Sequence, residues 1–110
     1  MISHIVVFKP RDDLSTADGE SLAAAFARAL NEIPDIRSVR AGRRVSDSRE
    51  FLVALDFDDR AGLDRYLQHP AHQELAQRFW QSLVVSFSAD FELAPLSASD
   101  LRTFFFDVKM

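Results

Sequence analysis

The 110-residue chain contains no cysteine, which excludes disulfides, thiolate metal sites and cysteine nucleophiles. Glycine is nearly as scarce. Three residues cannot build a glycine-rich phosphate loop, and no Gly-x-Ser-x-Gly elbow occurs. No apolar run approaches the roughly 20 residues of a membrane span. The opening MISHIVVFKPRDD has no basic leader and no cleavage-like end, so no signal peptide is expected and the simplest expectation is a cytoplasmic protein. Basic excess is missing too. The net charge is −4, whereas non-specific nucleic-acid binding needs a positive surface.

What the chain does have is a large apolar load. Hydrophobic residues make up 47 % of it and ten are Phe, a composition of one globular domain. A domain this small buries only about two-thirds of its surface on folding, so part of that load is expected to be covered by a second copy.

Periodicity divides the chain. Residues 2–9 (ISHIVVFK) form a strand with Ile2, His4, Val6 and Phe8 on one face. Residues 18–33 place Leu22, Phe26, Ala29, Leu30 and Ile33 at helical spacing, with Asp18 as N-cap and Pro34 as terminator. A weak strand covers 36–46 and Asp47-Ser48 reads as a turn. Residues 50–58 form a strand apolar on both faces. A short helix follows over 61–67, capped by Asp58 or Asp59, and Pro70 opens another. Residues 82–92 alternate strictly, with Leu83, Val85, Phe87, Ala89 and Phe91 on one side and Ser86, Ser88, Asp90 and Glu92 on the other. The order β-α-β-β-α-β predicts an α+β, ferredoxin-like unit over residues 1–93, with a four-stranded antiparallel sheet and helices on one face. Residues 94–110 lie outside that unit. Within them, 102–109 (RTFFFDVK) reads as an extra strand whose Phe104, Phe105 and Phe106 cover a sheet edge or clasp a partner subunit.

Chemistry concentrates at Tyr66-Leu-Gln-His-Pro-Ala-His72. Proline between two imidazoles puts His69 at a helix entrance and His72 one turn in. An imidazole near a phenol can serve as general acid/base apparatus; it can also be an ordinary helix start, and His69 fits a capping role. His4, on the first strand, is either a satisfied core imidazole or a pocket group. Three histidines give only a weak metal signal, since no carboxylate of clear spacing completes a ligand set, and none is expected. Arg37, Arg40, Arg43, Arg44 and Arg49 read as a solvated strand edge, or as a site for an anion.

The strand SHIVVFK, the junction EIPDIRSVRAGR and the block FLVALDFDDRAGLDRYLQHPAHQE together resemble the stress-responsive α/β-barrel (Dabb) family over about residues 2–92. The resemblance implies a ferredoxin-like subunit, a dimer whose sheets close into a barrel, and no metal or organic cofactor as a rule. One branch of the family holds polyketide cyclases. In that branch the second histidine of the His-Pro-Ala-His block is the general base, a tyrosine six residues earlier assists it, and a first-strand histidine lines the pocket. These positions are His72, Tyr66 and His4 here. Two departures make the pocket drier: Phe26 stands where the cyclases have a tyrosine, and Phe51 where they have a histidine. The expectation is a homodimer that binds a small apolar or aromatic molecule between helices and sheet, against His4, Phe26, Phe51 and Phe79. The alternatives are a cofactor-free, cyclase-like or monooxygenase-like enzyme with His72 as base, and a purely structural stress protein.

Overall fold

The structure, a computed structural model, describes residues 1–100 and Phe105. The elements run β1 (Ile2–Pro10), α1 (Thr16–Glu32), β2 (Ser38–Arg44), β3 (Asp47–Phe57), α2 (Arg60–Gln68), α3 (Pro70–Ser82) and β4 (Leu83–Glu92). The strands form one antiparallel sheet in the order β2-β3-β1-β4, with the helices on one side. This is the expected ferredoxin-like arrangement. β1 and β3, the most apolar strands, take the two central positions, as strands with no solvated edge should. None of the described helices is long and apolar enough to cross a membrane.

Each helix starts at a side chain that satisfies an orphan amide. Ser15, not the expected Asp18, caps α1: its hydroxyl accepts from the Asp18 N–H at 3.1 Å. Asp18 lies in the first turn instead, where its charge favours the helix dipole. Asp59 caps α2 by accepting from Gly62 N–H at 2.9 Å. His69 ends α2 and caps α3, its Nδ1 accepting from Ala71 N–H at 3.0 Å. The turn between β2 and β3 falls at Val45-Ser46 rather than Asp47-Ser48. Asp47 already belongs to β3, where its carboxylate takes the Arg49 N–H and the Lys9 ammonium.

Residues paired across antiparallel strands share a face, so the register sorts the sheet. On the helix side, Phe57, Leu55 and Val53 of β3 meet Ala25 and Ala29 of α1, its C-cap Ile33, and Leu63, Tyr66 and Leu75 of α2 and α3. The strict alternation expected for β4 breaks at a bulge. Val7 pairs with Phe87 but Phe8 pairs with Val85, which leaves Ser86 as the extra residue, its hydroxyl donating to Val7 O at 3.2 Å. Val85 therefore shares the helix face with Ser88 and Asp90. Phe87, Ala89 and Phe91 turn to the opposite face.

That opposite face carries Ile5, Val7, Leu52, Ala54 and the Phe87–Phe91 pair, whose rings lie 6.4 Å apart and remain 48 % and 43 % exposed. On the same face, across Ser3 from Phe91, Asp56 is buried and accepts from Ser3 Oγ (2.8 Å), Ser38 Oγ (2.6 Å) and Arg40 Nη2 (3.2 Å). Burial pushes the Asp56 carboxyl up, but the hydrogen bonds from Ser38, Ser3 and Arg40 outweigh it and hold the group below its usual value. The expected strand over 102–109 lies outside the described residues except at Phe105, which is helical and exposed.

Ser15→Ala is expected to cost about 1 kcal/mol, a Tm fall of roughly 4–8 °C for a domain near this size. Asp18→Ala should cost clearly less, because it removes only a dipole interaction. Thermal unfolding of both variants checks the assignment; a larger loss from Asp18→Ala would return the cap to that residue.

Candidate functional site

A cavity of about 220 Å³ lies between the helices and the sheet. β1 contributes His4 and Val6 to its wall, α1 Phe26, α2 Tyr66, α3 His72 and Phe79, and β4 Val85 and Ser88. Most of the wall is apolar, and the polar side chains gather at one end.

His72 is placed by the helix break. Because α2 stops at Gln68 and α3 starts at Pro70, the His72 ring folds back onto the last turn of α2, with Nδ1 3.0 Å from Leu67 O. A carbonyl only accepts, so Nδ1 carries the proton and Nε2 is left as the acceptor of a neutral imidazole. Burial pulls the His72 pKa below its usual value; the Leu67 hydrogen bond opposes this, and the nearby His4 adds to it. At neutral pH the ring is thus an uncharged base.

Tyr66 sits between the two histidines. Its ring centroid is 4.5 Å from His72, 5.9 Å from His4 and 5.2 Å from the core ring of Phe57. The residue is only 3 % exposed, yet its hydroxyl makes no hydrogen bond to another described residue. Burial first, and the Asp90 carboxylate second, push the phenol well above its ordinary pKa. It remains protonated at neutral pH and can donate a hydrogen bond.

His4 has a partner that the alternation of β4 concealed. The bulge turns Asp90 inward opposite His4, and His4 Nδ1–H donates to Asp90 Oδ1 at 2.5 Å. The side chains are 17 % and 44 % exposed respectively, so the pair leads from the cavity toward water. A sequence signal for Asp90 existed only in principle: a carboxylate near the end of the last strand, whose facing depends on one bulged residue.

Of the expected site residues, His4, Phe26, Tyr66, His72 and Phe79 come together at the cavity. Phe51 does not line it. Two residues beyond Val53 on β3, it stacks with Phe8 at 5.9 Å and lies under the Arg43 guanidinium at 5.3 Å. Among the described residues no group of three His, Asp or Glu is placed to hold a metal ion. The strand arginines are largely neutralised by Arg37–Asp58, Arg40–Asp56, Arg44–Glu50 and Arg49–Asp12 pairs at 2.7–3.2 Å.

A histidine whose folded pKa is depressed binds its proton more readily in the unfolded chain. Its stabilising contribution is complete above the unfolded value of about 6.5 and is lost as pH falls through the folded one. Unfolding measured from pH 8 down to pH 5 is therefore expected to show a smaller acid-side loss for His72→Gln, which keeps a donor for Leu67 O, than for the native chain. Equal slopes would mean that His72 is not held neutral by burial.

Comparison with known proteins follows the same outline. A protein of Streptomyces coelicolor described as uncharacterised is 35 % identical over 97 residues, covering 84 % of this chain and 99 % of its own. Olivetolic acid cyclase of Cannabis sativa is 24 % identical over 92 residues, covering 76 % of this chain and 91 % of its own. Among solved structures, a dimeric ferredoxin-like protein of unknown function from Thermobifida fusca superposes with a TM-score of 0.66 at 22 % identity, covering 84 % of this chain and 90 % of that one. The model of the Stress responsive A/B Barrel Domain matches residues 2–93, and the chain belongs to that family.

Proposed function

We propose that the protein is a homodimeric, cofactor-free acid/base catalyst that enolises a small, largely apolar or aromatic carbonyl compound. The observation that carries this reading is the convergence of a neutral His72, a Tyr66 hydroxyl with no partner among the described residues and the His4–Asp90 pair at one end of an otherwise apolar cavity. A C–H flanked by carbonyls is acidic enough for an imidazole base placed within reach. His72 Nε2 takes the proton, the C–H electron pair becomes a C=C bond as the carbonyl π pair moves onto oxygen, and the Tyr66 O–H donates to the enolate so formed. If the carbanion carbon then attacks a second carbonyl of the same molecule, a C–C bond closes a ring. The alkoxide recovers the proton from His72, so the base is regenerated. Asp90 accepts from His4 Nδ1–H and so fixes the tautomer that presents His4 Nε2 as a further acceptor. The likeness to a protein named as a cyclase supports this choice of chemistry.

We propose further that a second copy covers the outer sheet face. Ile5, Val7, Leu52, Phe87 and Phe91 form an apolar patch on the side the helices leave bare, and monomers rarely leave large patches of that kind in water. Sheet packed on sheet in a twofold dimer covers it. The dimeric neighbour agrees.

Two measurements test these readings. Deuterium exchange at the acidic C–H of an aryl β-diketone such as benzoylacetone, followed by NMR, is expected to exceed the buffer rate, to fall 10²–10⁴-fold in His72→Ala, and to fall more modestly in Tyr66→Phe. Exchange no faster than buffer, with the diketone nonetheless bound, would leave a binding protein without turnover. Native mass spectrometry at micromolar concentration is expected to give a dimer that Phe87→Glu dissociates; a monomeric native chain rules out the twofold assembly.

A further inference from the structure

Trp80 and Ser88 line the cavity and yet are exposed, Trp80 at 63 %, while the rest of the wall is buried or half-buried. They mark the mouth, between the last turn of α3 and the edge strand β4. An aromatic ring at the rim of an apolar cavity is a ready contact for a further apolar segment. The chain carries such a segment. The family match ends at residue 93, and the Streptomyces coelicolor relative, matched over 99 % of its own length, accounts for 84 % of this chain. The residues past β4 are additional to the shared domain. Their described part is built as a helix start. Asp100 Oδ2 accepts from the Ser97 N–H at 3.4 Å and from the Ser97 hydroxyl at 2.7 Å, and the Asp100 N–H donates to Ser97 O at 3.1 Å. This is the reach-back of a capping box, and Leu96 and Leu101 stand at the two positions of a hydrophobic staple. Beyond it, Leu101, Phe104, Phe105 and Val108 recur at the i, i+3, i+4, i+7 spacing of an apolar helix stripe, and Phe105 is helical. A helix accounts for both observations; the strand expected over 102–109 accounts for neither.

Charge and reach favour this chain's own mouth as the acceptor. Arg102 and Lys109 balance Asp100 and Asp107, so the segment lacks the basic face of a membrane-binding helix and suits a protein surface. The Leu93 N–H is held by Met1 O at 2.8 Å, which fixes where the segment leaves the sheet. From there Ser88 lies back along β4 by about 17 Å. Residues 94–97 extended, then a helix from 98 to 105, span about 25 Å. We propose that residues 101–108 close over the mouth of the cavity as an amphipathic helix, laying Phe104 and Phe105 against Trp80 and the strand edge at Ser88. The Phe87–Phe91 patch lies on the other face of the sheet, so this segment and a second copy do not compete for one surface. The inference rests on the cavity and its mouth, whichever chemistry the histidines perform. Its consequence is that a ligand enters only while the segment is lifted, and its apparent affinity falls with the fraction of time the mouth is open.

Trp80 is the single tryptophan of the chain, so acrylamide quenching of the full-length protein reads the mouth directly. The native chain is expected to shield Trp80. Phe104→Ser and Phe105→Ser should each raise the quenching constant severalfold. Phe106→Ser, which falls off the helical stripe, should leave it unchanged and shows that losing a phenylalanine from this segment does not itself unfold the domain. A native chain quenched as readily as the Phe104→Ser and Phe105→Ser variants overturns the cover. Equal effects of Phe104→Ser and Phe106→Ser, with Phe105→Ser silent, are the alternation of a strand and overturn the helix. Shielding that appears only as protein concentration rises assigns the segment to a partner copy and overturns the closure of a chain on itself.

Discussion

The hydrogen-bonded ladder between β1 and β4 passes over Ser86, and each residue of β4 beyond it changes face. Without that bulge Phe87, Ala89 and Phe91 would point toward the helices, and Asp90 would stand in water away from His4. With it, the last strand puts Ser88 on the cavity wall and Asp90 against His4, and moves two phenylalanines to the outer face. One unpaired residue thus supplies both the partner of a half-buried imidazole and much of the apolar surface through which two copies would meet. Bulges commonly redirect side chains in this way next to functional sites.

The second constraint is the break at His69-Pro70. A continuous helix through residues 60–82 would carry His72 away from Leu67 O. Proline at the first position of α3 and the His69 cap allow α2 to stop and α3 to leave at a new angle. The residues that make this junction thereby set the tautomer of the base, and the surrounding apolar wall keeps that base uncharged. Tyr66, buried against Phe57, follows the same logic with the opposite sign: burial that disfavours a charged imidazole also disfavours a phenolate, leaving an acceptor and a donor on rings whose centroids lie 4.5 Å apart.

Element order, sheet membership and the Tyr66–His72 block are legible in the sequence because they depend on local signals: β-branched runs, helical spacing, proline and capping residues. What escapes is set by long-range register. Strict alternation in residues 82–92 reads as one unbroken strand, and nothing local marks Ser86 as the residue without a partner, so Asp90 reads as a solvent-facing carboxylate. Ser15 and Asp18 are both good cap residues, and only the geometry of the first turn separates them. The resemblance puts Phe51 at the cavity, whereas its position two residues beyond Val53 sets it beside Phe8 and Arg43. The Asp56 network was equally hidden, since its members lie up to 53 positions apart.

The buried Asp56 carboxylate has a consequence for how the edge of the sheet is held. β2 is exposed along its whole length, and such a strand has little apolar burial to fix its alignment against β3. Sliding it by one residue would send Ser38 to the other face and strand an ionised group in the sheet with two of its three donors displaced. The misaligned pairing is therefore disfavoured by electrostatics rather than by packing. Ser38, Arg40 and Asp56 act as a key that admits one alignment, and the remaining positions of β2 are released from that duty and free to drift in composition.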